Sequence, residues 1–316
     1  MSLKFLMKGR NAHLRTLPVL LFLLGLAAMS GCGQEKTPPR SPAEAKRTLV
    51  IGLIPERNIF RQFERYEPLA DYLSRKTDAK VTMKILRRYG NIVDNFRSEG
   101  MDGAFFGSFT YALAHAKLGV EVLARPVAFD NTSTYHGLIF VRKDSGIRNV
   151  RGMKGKRFAY VDKATTAGYI FPHEYFREFG ISNCREYLKE CYFAGTHEDA
   201  VYDVLNGKAD IGAAKNTVLY RLALGDPRIR EELVVLARSL DVPENALALR
   251  RDFDESARSR LKEALLNMHL DPEGKRVLER FEARKFIETT DMDYNVVVNY
   301  VKAIGLNLAT YDYTND

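Results

Sequence analysis

The string Val161-Asp162-Lys163-Ala164-Thr165-Thr166-Ala167-Gly168-Tyr169 sets two hydroxyls and a glycine between an apolar strand over 157–161 and an amphipathic helix reaching about residue 179. A strand-to-helix turn of this kind aims free backbone N–H groups at one point, where the helix dipole adds partial positive charge. No lysine or arginine lies between residues 164 and 170. The chemistry this suits is reversible capture of an oxyanion by neutral donors.

Three more turns share that character, at 86–91, 106–109 and 193–198, and carry Ser, Thr, Tyr, Gly, Asn or His. Ser108 opens a helix as both cap and donor. His197 also stands at a helix start, and its neighbours Glu198 and Asp199 imply a protonated ring that donates to an anion. The acids of these turns, Asp162 and Glu198, sit at the edges, and no pair of carboxylates is expected to converge. Lys215, just past a strand, reads equally as leaning into the cleft or as solvated, and Asp210 as a tie between a loop and backbone N–H groups. His173-Glu174 and His197-Glu198 lack the second histidine of a metalloprotease helix, and no cysteine spacing fits zinc. A phosphatase needs a metal cluster or an activated nucleophile. The expectation is therefore no catalytic residue, no metal and no cofactor.

The elements that must position these turns alternate. Strands are predicted at 49–54, 80–86, 102–106, 120–128 and 136–142, then at 157–161, 190–193, 210–213, 233–237 and 246–249. Helices fall at 66–76, with Pro68 in the first turn, and at 92–98, 109–118 and 217–224. Everything after residue 252 reads as helical, over 254–268, 271–283 and 292–304. This pattern predicts an α/β fold of mostly parallel sheets flanked by helices, with ligands beyond the carboxyl ends of the strands.

At the amino end, Lys4, Lys8, Arg10 and Arg15 precede an apolar run over 17–29 and then Met29-Ser30-Gly31-Cys32. The run is short for a bilayer span. Small residues before a cysteine resemble a bacterial lipoprotein signal, so Cys32 is the expected lipidated residue, and the lipid holds the chain at a membrane without spanning it. Residues 32–46, with Pro38, Pro39 and Pro42, read as a tether. The formal charge of the 316-residue chain is +8, from 48 basic and 40 acidic residues. Removing the four basic residues of 1–31 leaves 44 against 40, or +4. That small, dispersed excess argues against nucleic-acid binding. With Cys32 lipidated, Cys184 and Cys191 remain for a local disulfide in an oxidising compartment.

Four segments in order give the chain a family likeness over about 48–304. They are Glu67-Pro68-Leu69-Ala70-Asp71-Tyr72-Leu73, the small-residue turn and helix of 103–115, the hydroxyl loop of 165–172, and Gly195-Thr196-His197 followed by Asn206-Gly207-Lys208-Ala209-Asp210. The chain resembles the phosphate/phosphite/phosphonate-binding proteins of ABC importers, in the type II periplasmic-binding-protein superfamily. The resemblance implies a two-lobed fold, with 47–139 plus 244–316 as one lobe and 140–243 as the other, crossing near Phe140 and Val242. It implies ligand contacts at Tyr89, Tyr135, Thr165, Thr166, Ala167 and His197, with Ser108 beside them; the third hydroxyl of the family's loop is replaced by Ala167. The two carboxylates that aminophosphonate binders of the family use fall near Asn216-Thr217, where the acid is absent, and near Glu244-Asn245, where the match is incomplete, so the resemblance implies a ligand without an amine.

The function that follows is capture of a phosphate, phosphite or alkylphosphonate by a monomeric, extracytoplasmic protein, lipid-anchored at the membrane, for delivery to the permease subunits of an ABC importer. The alternatives are a ligand-binding subunit for a separate signalling partner, or a binder of another oxyanion such as a sulfonate or thiosulfate.

Overall fold

The computed structural model describes residues 47–315; the signal segment, Cys32 and the tether lie outside the described residues. In β1 (Thr48–Leu53) the two-residue period turns Leu49, Ile51 and Leu53 to one face, where they pack on Tyr66, Leu69, Tyr72 and Leu73 of α1 (Ile59–Thr77). This helix starts seven residues before the expected 66 because Asn58 caps it, accepting a hydrogen bond from the Phe60 N–H at 3.0 Å. Pro68 therefore lies in the helix interior. The carbonyl it leaves without a helical donor belongs to Glu64, an exposed residue, so water can satisfy it.

The first half continues with β2 (Lys80–Ile85), the single turn α2 (Asn91–Asp94), β3 (Gly103–Phe106), α3 (Ser108–Leu118) and β4 (Glu121–Val127). After β5 (Thr134–Tyr135), β6 (Gly137–Arg142) and β7 (Arg157–Tyr160), a π-helical turn over Thr166–Ile170 leads into α4 (Phe171–Glu178). Then follow α5 (Cys184–Tyr187), β8 (Glu190–Phe193), α6 (His197–Leu205), β9 (Ile211–Lys215), α7 (Asn216–Gly225), α8 (Arg228–Glu232) and β10 (Leu233–Arg238). The chain ends through β11 (Val242–Pro243), β12 (Ala246–Leu249), α9 (Glu255–Leu266), α10 (Pro272–Phe281), β13 (Lys285–Glu288) and α11 (Asn295–Ala303). β13 corrects the reading of everything after 252 as helical: Phe286 is buried against Phe105 and Phe281, and this short strand closes the sheet edge beside β4.

Two sheets result, in the orders β13-β4-β12-β3-β1-β2 and β10-β6-β9-β7-β8. The α/β class and the helix-flanked layers are as expected, while the sheets are mixed rather than mostly parallel. Strands linked through helices run parallel, β1 with β2 and β3 in one sheet and β7 with β8 and β9 in the other. Strands that enter from a crossing between sheets, β6 and β12, run antiparallel to their neighbours. The crossings themselves pair as a two-stranded ribbon, Tyr135 opposite Val242 and Thr134 opposite Pro243. β6 belongs to the second sheet from Gly137 onward, so the first crossing precedes it and does not fall near Phe140.

Candidate functional site

The N-terminus of α3, on the first sheet, faces the hydroxyl loop that follows β7 on the second. The Phe109 N–H donates to Thr166 Oγ1 at 3.0 Å, and Thr110 Oγ1 donates to the Ala164 carbonyl at 2.8 Å. Ser108 Oγ donates to the carbonyl of Pro243 in the crossing ribbon at 2.5 Å. From that ribbon the Tyr135 hydroxyl comes within hydrogen-bonding reach of the side chains of both Ser108 and Thr166. Ser108, Tyr135 and Thr166, the three hydroxyls the sequence singled out from separate elements, therefore meet at one place.

Tyr89 and His197 complete the seam, their rings 5.9 Å apart in an edge-to-face arrangement. Both are buried, at 2 % and 4 % exposure. The Tyr89 hydroxyl has no hydrogen-bond partner. Burial, reinforced by Glu56 and Asp162, pushes its phenol well above the ordinary value, so it is a neutral donor in want of an acceptor. Thr165 and Ala167 are buried in the same loop, but the Thr165 hydroxyl donates to the Asp162 carbonyl at 2.6 Å and so spends its proton on shaping the turn. Asp162 anchors that turn, accepting from the Ala164 N–H and from Asn315 Nδ2, both at 2.8 Å.

His197 corrects an expectation. Burial dominates its surroundings and holds the ring's pKa down at about 3, with Glu56 opposing and Lys215 assisting; Glu198 and Asp199 do not charge it. Its Nδ1 accepts the Lys215 backbone N–H at 3.3 Å, which leaves the proton of the neutral ring on Nε2. A depressed pKa makes the closed, folded form less stable as pH falls from about 6.5 toward 3, by up to about 1.4 kcal/mol per pH unit. His173, held at about 4 by burial, adds a similar slope over 6.5 to 4. Denaturant unfolding at pH 7 and pH 5 should show His197 alone costing about 2 kcal/mol across that interval, a cost absent in His197→Gln.

Of the two readings open for Lys215, solvated or leaning inward, the structure has the second: it is buried, at 3 % exposure. Its Nζ donates to Glu56 Oε1 at 3.1 Å, to Asn245 Oδ1 at 3.2 Å and to Glu244 Oε1, and it lies 4.3 Å from the centre of the Tyr135 ring. Two carboxylates thus converge on it, both from outside the four turns considered in the sequence. One comes from the turn after β1, and the other follows β11. Burial alone would lower the lysine's pKa, but Glu244 and then Glu56 outweigh it and push it up to about 12. Burial likewise opposes ionisation of Glu56, yet Lys215 and then Arg65 bring it down to about 2. Nothing local announced this cluster, because its partners are as far as 159 residues apart in the chain.

Links at the rim hold the seam shut. Arg221 Nη2 reaches Glu282 Oε2 across it at 2.8 Å, where Arg57 of the same lobe as Glu282 also binds, and the Asn58 N–H donates to Glu198 Oε2 at 3.1 Å. On the opposite side the carboxyl-terminal segment crosses over: Tyr311 donates to the Lys163 carbonyl and Tyr313 to Asp94. A surface hollow of about 560 Å3 is lined by Tyr72, Lys76, Arg260, Glu263, Asn267 and Asp271 and includes none of the hydroxyl or imidazole groups above. The candidate site is therefore the closed seam rather than that hollow. No group of acids, histidines and cysteines suited to a metal occurs among the described residues. The expected bridge between Cys184 and Cys191 is not formed: both are free thiols, and Cys184 Sγ lies 4.0 Å from His173 Nδ1.

Two α/β lobes shut over a ring of neutral donors define a solute-binding protein. A family model described as "ABC transporter, phosphonate, periplasmic substrate-binding protein" matches residues 51–294, and the chain belongs to that family. The chain is 26 % identical over 259 residues to the phosphonates-binding periplasmic protein of Escherichia coli K12, covering 80 % of this chain and 76 % of that one. It is 27 % identical over 201 residues to the phosphate-import protein PhnD of Mycolicibacterium smegmatis, covering 60 % and 62 %. Among solved structures, PhnD1 of Prochlorococcus marinus in complex with methylphosphonate superposes with a TM-score of 0.72 at 21 % identity, over 82 % of this chain and 98 % of that one. A binding component of a phosphonate ABC transporter from Pseudomonas aeruginosa gives 0.77 at 22 % identity, over 82 % and 87 %. Members of this family are binding components of transporters, not enzymes, in keeping with the absence of an expected catalytic residue.

Proposed function

We propose that this chain is a lipid-anchored binding protein that captures a small phosphorus oxyanion, one of phosphate, phosphite or an alkylphosphonate, and presents it to the permease of an ABC importer. The observation that carries this reading is the Tyr89 hydroxyl, buried without a partner beside His197. An anion placed there accepts from Tyr89, from Nε2 of neutral His197 and from the Tyr135 and Thr166 hydroxyls, with no full positive charge in the ring. Closure excludes water, which strengthens each of these bonds. The printed names of the relatives, which speak of phosphonates and of phosphate import, support the same ligand class. Lipidation at Cys32 rests on the sequence signal alone.

The reading is tested by thermal unfolding of a soluble chain beginning at Glu35, in buffer free of phosphate, with phosphate, phosphite, methylphosphonate, sulfate and thiosulfate added in turn. A ligand at one hundred times its Kd stabilises by about 2.7 kcal/mol. The expected result is such a shift with at least one phosphorus oxyanion and none with sulfate. A shift confined to the sulfur oxyanions would reassign the ligand.

A further inference from the structure

The residues after α11, 306–315, form no helix or strand, yet their own side chains shape them. Asn307 Oδ1 accepts the Ala309 N–H at 3.0 Å, and Asp312 Oδ1 accepts the Thr314 N–H at 2.9 Å, so each fixes a local turn. One side of the segment is attached to helices of the first sheet. Tyr313 donates to Asp94 Oδ1 of α2 at 2.6 Å, and Lys117 Nζ of α3 donates to the Ala309 carbonyl at 2.9 Å. The Tyr311 ring stands edge-to-face on Phe109, with centroids 5.5 Å apart. Gly90, next to Tyr89, lies so close that a Cβ there would stand 2.7 Å from Tyr313 Cδ2.

The other side is attached to the loop after β7, in the second sheet. The Tyr311 hydroxyl donates to the Lys163 carbonyl at 3.0 Å, Asn315 Oδ1 accepts the Lys163 N–H at 3.1 Å, and Asn315 Nδ2 donates to Asp162 Oδ2 at 2.8 Å. A carboxamide carries both donor and acceptor, so one side chain satisfies a carboxylate and a backbone N–H together. Asp162 also accepts the Ala164 N–H and comes within reach of the Tyr89 N–H. Asn315 therefore grips, from 153 residues away, the group that shapes the turn of Thr165 and Thr166.

We propose that segment 306–315 is a latch across the seam: Asn315 and Tyr311 are positioning residues for the anion turn, and the segment sets how fast a bound ligand leaves. The consequence for a ligand rests on the oxyanion reading above; the latch itself does not. When the lobes part, Asp162 and Lys163 move with the second sheet, while Asp94, Phe109 and Lys117 keep the segment on the first. The bonds of Tyr311 and Asn315 must then break at each opening. Their loss favours the open form, and a ligand that leaves only from the open form departs sooner.

The test uses the full-length, detergent-solubilised chain, the double variant Tyr311→Phe with Asn315→Ala, which removes the bonds to Asp162 and Lys163, and Tyr313→Phe, which frees the other end. Amide hydrogen exchange without ligand is followed at Phe109, whose N–H bonds across the seam, and at β1, which reads global unfolding. Exchange at Phe109 is expected to rise at least about tenfold in the double variant, and by less in Tyr313→Phe, with β1 unchanged in both. Phosphate, phosphite and methylphosphonate are then added in turn. Stopped-flow release of whichever binds should quicken by a similar factor in the double variant, while association does not slow. Unchanged exchange at Phe109 overturns the proposal. Equal acceleration at Phe109 and β1 does so too, because the segment then supports only the fold, as does unchanged release with slower association. If none of the three anions binds the wild type while exchange responds as expected, the oxyanion reading fails and the latch stands.

Discussion

Thr166→Val is expected to weaken binding of the phosphorus oxyanion about a hundredfold while moving the Tm of the unliganded chain little. The substitution keeps the shape of the side chain and removes one oxygen. In the closed form that oxygen accepts the Phe109 N–H across the seam and shares the neighbourhood of the Tyr135 hydroxyl. Without it a buried N–H is left unpaired, at about 1–3 kcal/mol, and a bond to a charged ligand worth about 1.5–3 kcal/mol is lost. Even the lower part of that combined range approaches two orders of magnitude in Kd. With the lobes apart the Phe109 N–H turns to water, so the loss falls on closure and not on folding. Stopped-flow release should locate most of the change in the dissociation rate. An affinity within threefold of the wild type would remove Thr166 from the site.

Gly168→Ala is expected to cost both stability and binding. A Cβ at this position would stand 2.4 Å from Cβ and Cγ2 of Val161 and 2.9 Å from Thr165 Oγ1. The loop cannot drift away freely, since the Val161 N–H holds the Gly168 carbonyl at 3.1 Å. On the other side, Gly137 packs so closely that its own Cβ would come within 3.0 Å of Ala167 Cα. Glycine at 168 is required here by proximity, not by a left-handed backbone. Overpacking of this kind costs about 1–3 kcal/mol. Relief must come from moving the Thr165–Thr166 turn, and a binding constellation tolerates displacements of only about half an ångström. Denaturant unfolding and calorimetry together should show a destabilised chain with binding reduced beyond the Thr166→Val level. Unaltered binding would mean that the position of the turn does not matter to the ligand.

How far these features could be read from the sequence depends on how local they are. Strands such as Glu190–Phe193 and Ala246–Leu249 are short apolar runs between turn residues, and they stand where expected. The hydroxyl turn is equally local, since its cap, glycine and following helix are all neighbours in the chain. Asp210 accepts the Arg157 N–H at 2.8 Å, the loop tie that was expected. Orientation is a different matter, because whether β6 and β12 run parallel or antiparallel depends on where the chain crosses between sheets. The Lys215 cluster is harder still. A lysine after a strand is ordinarily solvated, and only the fold brings Glu56 and Glu244 to it. The state of His197 was misjudged for a related reason. Adjacent acids in sequence suggested a charged ring, but desolvation by the closed seam outweighs them. The short strand β13 escaped because four residues between helical stretches give no period to read.

The central claim is that the buried, unpartnered Tyr89 hydroxyl and its neighbours form the anion site. It is tested most directly by calorimetric titration of methylphosphonate, phosphite and phosphate into the wild type and Tyr89→Phe. That substitution removes a single oxygen with no partner in the protein, so stability should hold or rise slightly. The account predicts one-to-one binding of at least one of the three by the wild type, weakened in Tyr89→Phe by about tenfold or more. Binding of equal strength in both proteins, or no heat from any of the three in either, would contradict it.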